Sequence, residues 1–526
     1  MHTADTHSRG AAEPRSPNYI PRGKKIGLVL GLVLFLATIL LAPIPDAPAA
    51  NRMAAVALLM ATWWITDAIP LFATALLPLV LYPLLGIDSG GATAPIYFNS
   101  TIILFIGGFM IALTMEKWDL HRRIALWIIR KIGGGPSRMV LGFMIAAAFL
   151  SMWVSNTATG IMMVPIGLAI VLRMEEEFGA ERTKTFSVAI MLGIAYSCSV
   201  GGIATLVGTP PNLSLARIYQ ITFPEAPPIA FGQWILMGLP MTALMLAVIW
   251  FMITQVFYRV PPDVTVDDAV LDDEVRRLGL PTFEQRAVMA VFTATAFLWV
   301  FRRRLDVGVV SIPGWSELLP NPELIDDGTV AITMASLLFL IPTRTPGAPA
   351  PRLMGPDVIP RLPWNIVLLF GGGFALAHGF QVTGLSEAIG TLFVGLGAVP
   401  PLVLIGLTCF GLSFLTELTS NTATAEMILP ILAAAGVAAG VDPLMLMIPA
   451  AISASCAFMM PVATPSNAIV FGSDRVTISQ MARIGIFLNL CGVLVVMGVF
   501  YVVGTAVFQI DPTVLPAWAV PAAASP

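Results

Sequence analysis

Between Arg138 and Arg173 the chain runs for 34 residues without a charge. As one helix rising about 1.5 Å per residue, the run would be about 51 Å long, against a hydrocarbon core of about 30 Å. Its middle is polar: FLSMWVSNTATGIMMVPI, at 149–166, places SNTAT at 155–159. A re-entrant hairpin accommodates both facts, with two half-helices of about 15 residues each and the polar turn at mid-membrane. An irregular turn at that depth leaves backbone N–H and C=O groups without water, so it survives only where it lines a protein-bounded cavity. The position alone predicts a site.

The string is written twice. FLTELTSNTATAEMILPI stands 265 positions later, inside a second apolar stretch at 401–436. FIGGFMIALTMEKWDL at 105–120 matches FGGGFALAHGFQVTGL at 370–385 at the same offset, and GTPPN at 208–212 is answered by ATPSN at 463–467 at an offset of 255. Both halves therefore run interrupted span, hairpin, broken span. Proline removes a donor and interrupts the helix ladder, so GTPPN and ATPSN mark the breaks.

Composition places these units in a membrane. Of 526 residues, 57% are apolar and 11% charged, and mean hydropathy is +0.86. Such a chain is an all-α polytopic membrane protein rather than a water-soluble domain. Apolar runs and breakers predict spans near 26–44, 53–69, 70–86, 100–133, 186–218, 231–257, 284–301, 329–343, 364–395, 443–472 and 481–510, with hairpins at 139–172 and 401–436. The block after Lys24 and Lys25 resembles a signal peptide, but its apolar run is long and about 25 residues precede it, which favours an uncleaved first span. Arg15, Arg22, Lys24 and Lys25 put the N-terminus in the cytoplasm. Arg302, Arg303 and Arg304 fall outside and go against the rule locally. The two copies sit on the fourth and ninth spans, an odd separation, so the units have opposite orientation. Inverted repeats place a substrate site at their interface near the midplane, the usual logic of secondary transporters.

Asn156, Thr157 and Thr159, with Asn421, Thr422 and Thr424, offer hydroxyls and carboxamides but no fixed charge. Their N–H and O–H groups suit carboxylate or sulfate oxygens; their oxygens and free backbone carbonyls suit a hard cation. A single SNT string in a membrane helix is more often a helix–helix hydrogen-bonding patch than a site, but the duplication and the paired breaks favour a site. Glu417 and Glu426 face Met152 and Ile161 in the other copy and are taken as hairpin flanks rather than proton carriers. His378 is expected to be packed or hydrogen-bonded, Asp67 to end a helix, and the glycines at 107–108 and 371–373 to mark close helix contacts. The four cysteines, Cys198, Cys409, Cys456 and Cys491, are expected to be packing residues. No GxxxxGK[ST] motif is present, and with four histidines and no HExxH a zinc enzyme lacks its ligands, so no enzyme activity is expected.

The paired SNT strings, WWITDAIP, GGIATLVGTPPN at 201–212 and CAFMMPVATPSNAIVFG at 456–472 together resemble the divalent anion/sodium symporter family over roughly 50–505. The resemblance implies a homodimer with eleven spans and two re-entrant hairpins, divided into a scaffold and a transport domain that works as an elevator. It implies one sodium site at Ser151, Ser155, Asn156 and Gly208 and a second at Thr416, Thr419, Asn421 and Ala463, with sodium as the co-transported ion and no organic cofactor. The dicarboxylate would touch Asn156, Thr157, Asn421 and Thr422, with Thr209 and Pro465 at the broken spans. Asp67, Ser466 and Thr209 depart from the family's common Glu, Pro and Ser, and the last puts the preferred anion in doubt.

On this resemblance the chain divides into a cytoplasmic tail (1–25), scaffold helices (26–133), the first hairpin (139–172), transport helices (186–257), a cytoplasmic linker (258–283), scaffold helices (284–395), the second hairpin (401–436) and transport helices (443–510). The expected function is sodium-coupled import of a C4-dicarboxylate across the cell inner membrane, with no nucleic-acid partner. Sodium-independent dicarboxylate exchange and sodium/proton antiport are the alternatives.

Overall fold

The computed structural model describes residues 21–260, 269–307, 310–345, 347 and 351–520. Most of the expected tail, including Arg15, and part of the expected linker lie outside these residues. The chain is nearly all helical; a two-stranded antiparallel ribbon pairs Leu305 with Ile312. Among the described residues, eight helices are long and apolar enough to cross a membrane.

The repeat seen in the sequence is a repeat of breaks. The span expected at 100–133 is two helices, Ser100–Lys117 and Leu120–Ile132, hinged at Asp119 with φ 52°. Its counterpart is Trp364–Val382 and Leu385–Phe393, hinged at Gly384 with φ 72°. Asp119 and Gly384 are 265 positions apart, and both residue types tolerate the left-handed region that a sharp helix turn needs.

Each hairpin follows. Pro136–Ser151 turns into Asn156–Phe178, and Pro401–Leu415 turns into Asn421–Ala438. SNTAT is therefore not the turn itself: Ser155 and Ser420 are the residues before the outgoing helices, and the four residues after each form the first turn. Ser155 accepts a hydrogen bond from the Ala158 N–H at 3.1 Å, the usual satisfaction of an orphan donor at a helix start.

The broken spans come next. Ala180–Ile203 stops, 204–209 is irregular, and Pro210–Thr222 resumes; Leu444–Ser453 stops, 454–464 is irregular, and Pro465–Phe471 resumes. Both second halves start on proline, whose missing N–H costs nothing in a first turn. The two units then cross. Gly160 on the first hairpin's outgoing arm packs against Ser466 and Ile469 of the second broken span. Ser214 of the first broken span bonds Glu426 on the second hairpin's outgoing arm. The apolar window of Ala180–Ile203 is wholly buried, so this helix stands in protein, not lipid.

Two expectations change in detail. The span expected at 70–86 is two short helices, Leu71–Thr74 and Leu77–Leu85, because Pro70 and Pro78 each begin a new one. The linker expected at 258–283 contains the helix Ala269–Leu278, tied to Leu120–Ile132 by ion pairs of Arg122 with Glu274 and of Arg130 with Asp272. The arginine cluster has local uses: Arg302 is buried in an ion pair with Asp327 and donates to the Ile325 carbonyl, and Arg304 pairs with Glu317. Charges fixed by such partners are poor witnesses to membrane sidedness. Asp67 ends Pro48–Thr66 with φ 47° and pairs with Lys24; His378 meets Asp88 Oδ2 at 2.9 Å. Gly107 lies on Ala331 and Gly372 on Ala75, the close helix contacts expected of them.

Candidate functional site

At the first hairpin, Ser151 closes the incoming arm and Asn156 opens the outgoing one. Ser151 Oγ lies 2.5 Å from Asn156 Oδ1 and 2.6 Å from the carbonyl oxygen of Cys198 on the first broken span. At the second hairpin, Thr416 Oγ1 lies 2.6 Å from Asn421 Oδ1 and 2.8 Å from the Ala454 carbonyl oxygen. The two constellations match group for group. In each, one hydroxyl hydrogen faces two oxygen acceptors, which makes a small nest of oxygens of the kind that suits a hard cation.

The first nest is bounded by the break. Gly202 and Gly208 approach so closely that a β-carbon on Gly202 would stand 2.8 Å from the Gly208 carbonyl oxygen and 3.2 Å from Asn156 Oδ1. Only glycine leaves that room. Both breaks are held open by an asparagine: Asn212 donates its side-chain amide to the Gly202 and Thr205 carbonyls at 3.2 and 2.8 Å, and Asn467 donates to Ala457 and Met460, both at 3.1 Å. These pairs are again 255 positions apart. The carbonyls that a broken helix would orphan are thereby bonded.

The breaks also meet each other. Thr209 and Ser455 stand hydroxyl to hydroxyl at 3.3 Å. The side-chain N–H groups of Asn156 and Asn421 and the hydroxyls of Thr157 and Thr422 make no hydrogen bond to the described residues. Four donors thus remain open beside two oxygen nests. Thr157 is half-buried and Thr422 buried.

Other expected site residues sit differently. Thr419 turns its hydroxyl onto Thr424 Oγ1 at 2.6 Å and the Leu415 carbonyl at 2.9 Å, within its own hairpin. The Ser155 hydroxyl caps its helix. Ala463 is buried in the second break, where its N–H donates to Met460 O, and Pro465 is exposed at the start of the resumed helix.

Glu417, expected as a hairpin flank, is bonded well beyond its own hairpin. Its carboxylate accepts the backbone N–H groups of Phe458, Met459 and Met460 at 2.7, 2.9 and 3.0 Å and the Asn489 amide at 2.8 Å. A charge surrounded by four donors ties the second tip to the second break. In the first half Met152 stands in its place, and the Thr205 hydroxyl donates to the Met152 carbonyl at 2.6 Å. The same joint is built with different chemistry.

The model of the sodium:sulfate symporter transmembrane region matches residues 24–510. The chain belongs to the divalent anion/sodium symporter family. It is accordingly a multi-span membrane transporter and not an enzyme. Among curated relatives of this family, the sodium-dependent dicarboxylate transporter SdcS of Staphylococcus saprophyticus is 40% identical over 498 residues, covering 93% of each chain. SdcS of Staphylococcus aureus is 41% identical over 499 residues with the same coverage. Among solved structures, the Alcanivorax borkumensis YdaH transporter aligns with a TM-score of 0.56 at 16% identity over 93% of this chain and 100% of that one. Neisseria gonorrhoeae MtrF aligns at 0.54 with 12% identity, over 92% and 95%. Those two likenesses concern the fold alone.

Proposed function

We propose that this chain is a sodium-coupled symporter that imports a C4-dicarboxylate across the cell inner membrane, N-terminus in the cytoplasm, as a homodimer working by an elevator motion. The observation that carries the reading is the matched pair of Asn-centred oxygen nests, each with an open amide N–H and an open threonine hydroxyl beside it. Sodium ions would occupy the nests, shared by Ser151, Asn156 and the carbonyls of Cys198 and Gly208 in one, and by Thr416, Asn421 and the Ala454 carbonyl in the other. A cation there supplies the positive charge that one hydroxyl hydrogen between two oxygens does not.

The anion would lie between the tips, one carboxylate against Asn156 and Thr157 and the other against Asn421 and Thr422, with Thr209 and Pro465 at the breaks. The tips and breaks contain no Lys or Arg. Two carboxylates in a site without fixed cations are costly to desolvate, so sodium bound first lowers the cost of the anion that follows. That order couples the two fluxes. The 40–41% identity to sodium-dependent dicarboxylate transporters over nearly the whole chain supports the substrate class.

The test is uptake of labelled succinate into proteoliposomes under an imposed sodium gradient. Sodium-dependent uptake that responds to membrane potential is expected. Equal uptake without sodium, insensitive to potential and stimulated by internal dicarboxylate, would point to exchange instead.

A further inference from the structure

Glu426 lies in the outgoing arm Asn421–Ala438 and is completely buried. One carboxyl oxygen, Oε1, is bonded to the Ser214 hydroxyl, and the other, Oε2, has no hydrogen-bond partner among the described residues. Oε2 is pressed against helix Trp364–Val382 at Gly373, where a β-carbon would overlap the carboxyl group. The acid is thus closed in between the broken span of the first repeat and a helix of its own repeat.

Among the described residues no positive charge is paired with it. The charged or titratable residues on the elements packed against this arm are Arg217 and Tyr219 on Pro210–Thr222, His378 on Trp364–Val382, Glu387 on Leu385–Phe393 and Arg52 on Pro48–Thr66; Leu444–Ser453 has none. None of them bonds Glu426: His378 takes Asp88, Arg52 takes the carbonyls of Pro48 and Leu85, and the Nε of Arg217 is itself unpartnered. On the same hairpin, Glu417 is occupied by the second break. An isolated carboxylate in such a place costs far more than an unpaired neutral carbonyl oxygen.

We propose that Glu426 is a proton-binding site of the transporter, held as the neutral acid while arm Asn421–Ala438 lies against helix Trp364–Val382. The neutral form places every hydrogen. The acid O–H at Oε1 donates to Ser214 Oγ, and the Ser214 hydroxyl donates onward to the Pro210 carbonyl, 3.2 Å away. Oε2 is then the carbonyl oxygen, the one atom for which a missing partner is tolerable. The chain of bonds ends at Pro210, next to Thr209 in the break, so the proton and the break are one turn apart. The acid is a property of this half alone: the matching position in the first hairpin is Ile161, which is 57% exposed.

The experiment is infrared spectroscopy of the purified full-length protein at neutral pH, wild type against E426Q, which reads the protein alone and is independent of which anion it carries. Wild type is expected to show the carbonyl stretch of a neutral carboxylic acid that exchanges slowly in deuterated water, and E426Q to lose that band, one acid per chain. An unchanged acid band in E426Q, with loss of carboxylate absorption instead, would overturn the proposal. Should E426Q fail to fold, S214A serves: removing the acceptor should shift the acid band to higher frequency, and a band at the wild-type frequency in S214A overturns the assignment.

Discussion

Thr209 and Ser455 stand hydroxyl to hydroxyl at 3.3 Å, one in each helix break. No other side-chain pair joins the two breaks directly in this way among the described hydrogen bonds. It makes Thr209 the residue through which the first break reaches the second directly.

Thr209→Val keeps the shape and removes the hydroxyl. The expected result is a dicarboxylate KM about tenfold higher, equivalent to about 1.4 kcal/mol, with little change in half-saturating sodium. Thr209→Ser should restore affinity and widen the range of anions accepted, because the missing methyl leaves room beside the substrate. Competition of labelled succinate by a panel of unlabelled anions measures both.

Removing one hydroxyl from an oxygen nest should be felt by sodium first. Ser151→Ala and Thr416→Ala are each expected to raise half-saturating sodium about five- to tenfold, the scale of one lost ligand contact, with a smaller change in the substrate constant at saturating sodium. Sodium titration of uptake separates the two variants, and an unchanged sodium curve for both would count against cations in the nests.

How far the sequence carried the reading depends on the kind of signal. The helix–turn–helix units, the breaks and their repetition were legible because they rest on run length, proline and a fixed offset, and the hinges at Asp119 and Gly384 follow the same offset. SNTAT was legible as the polar string of each hairpin but not as a helix start, since a polar string marks a turn and a first helical turn alike. Glu417 was taken as a flank because its partners are backbone N–H groups more than 40 residues away, which no side-chain motif announces. Thr419 was expected beside the second nest, yet Thr424 at five residues' distance captures its hydroxyl. The Arg302–Arg304 cluster goes against the charge rule locally, and Asp327 and Glu317, which neutralise two of its members, come later in the chain.

Asn156→Asp separates the two duties given to Asn156. An aspartate keeps an oxygen for the nest but replaces the open N–H with negative charge. Half-saturating sodium should stay the same or fall, whereas the dicarboxylate KM should rise more than about tenfold through repulsion and the lost donor. If sodium affinity collapses together with substrate affinity, the asparagine oxygen does not face the cation. Paired sodium and succinate titrations of the same proteoliposomes give the answer.

Glu417→Ala leaves three backbone N–H groups and the Asn489 amide without their acceptor. At about 1–3 kcal/mol for each buried group left unsatisfied, the loss exceeds about 3 kcal/mol, so a lower melting temperature and absent transport are expected. Glu417→Gln keeps one acceptor oxygen and should fall between. Asn489→Leu removes one of the four donors while leaving the three backbone bonds, and its effect should be the mildest. Thermal unfolding in detergent ranks the three.

Gly373 and Gly108 occupy matching places in the two repeats, 265 positions apart, but they do not face the same crowding. A β-carbon on Gly108 would make ordinary contacts with Trp299 and Val207 at 3.7 and 3.8 Å, whereas one on Gly373 would overlap the Glu426 carboxyl and stand 2.7 Å from its Cβ. Gly108→Ala should therefore transport within about twofold of wild type, and Gly373→Ala should lose more than about tenfold, since arm Asn421–Ala438 must move off its helix to admit a methyl group. Adding Glu426→Ala to Gly373→Ala removes the carboxyl but leaves the Cβ contact, so the double variant should recover part of the rate and not all of it. Succinate uptake at matched protein density compares the four proteins. Equal damage from the two glycine substitutions would mean that the contact at Glu426 does not set the position of the arm.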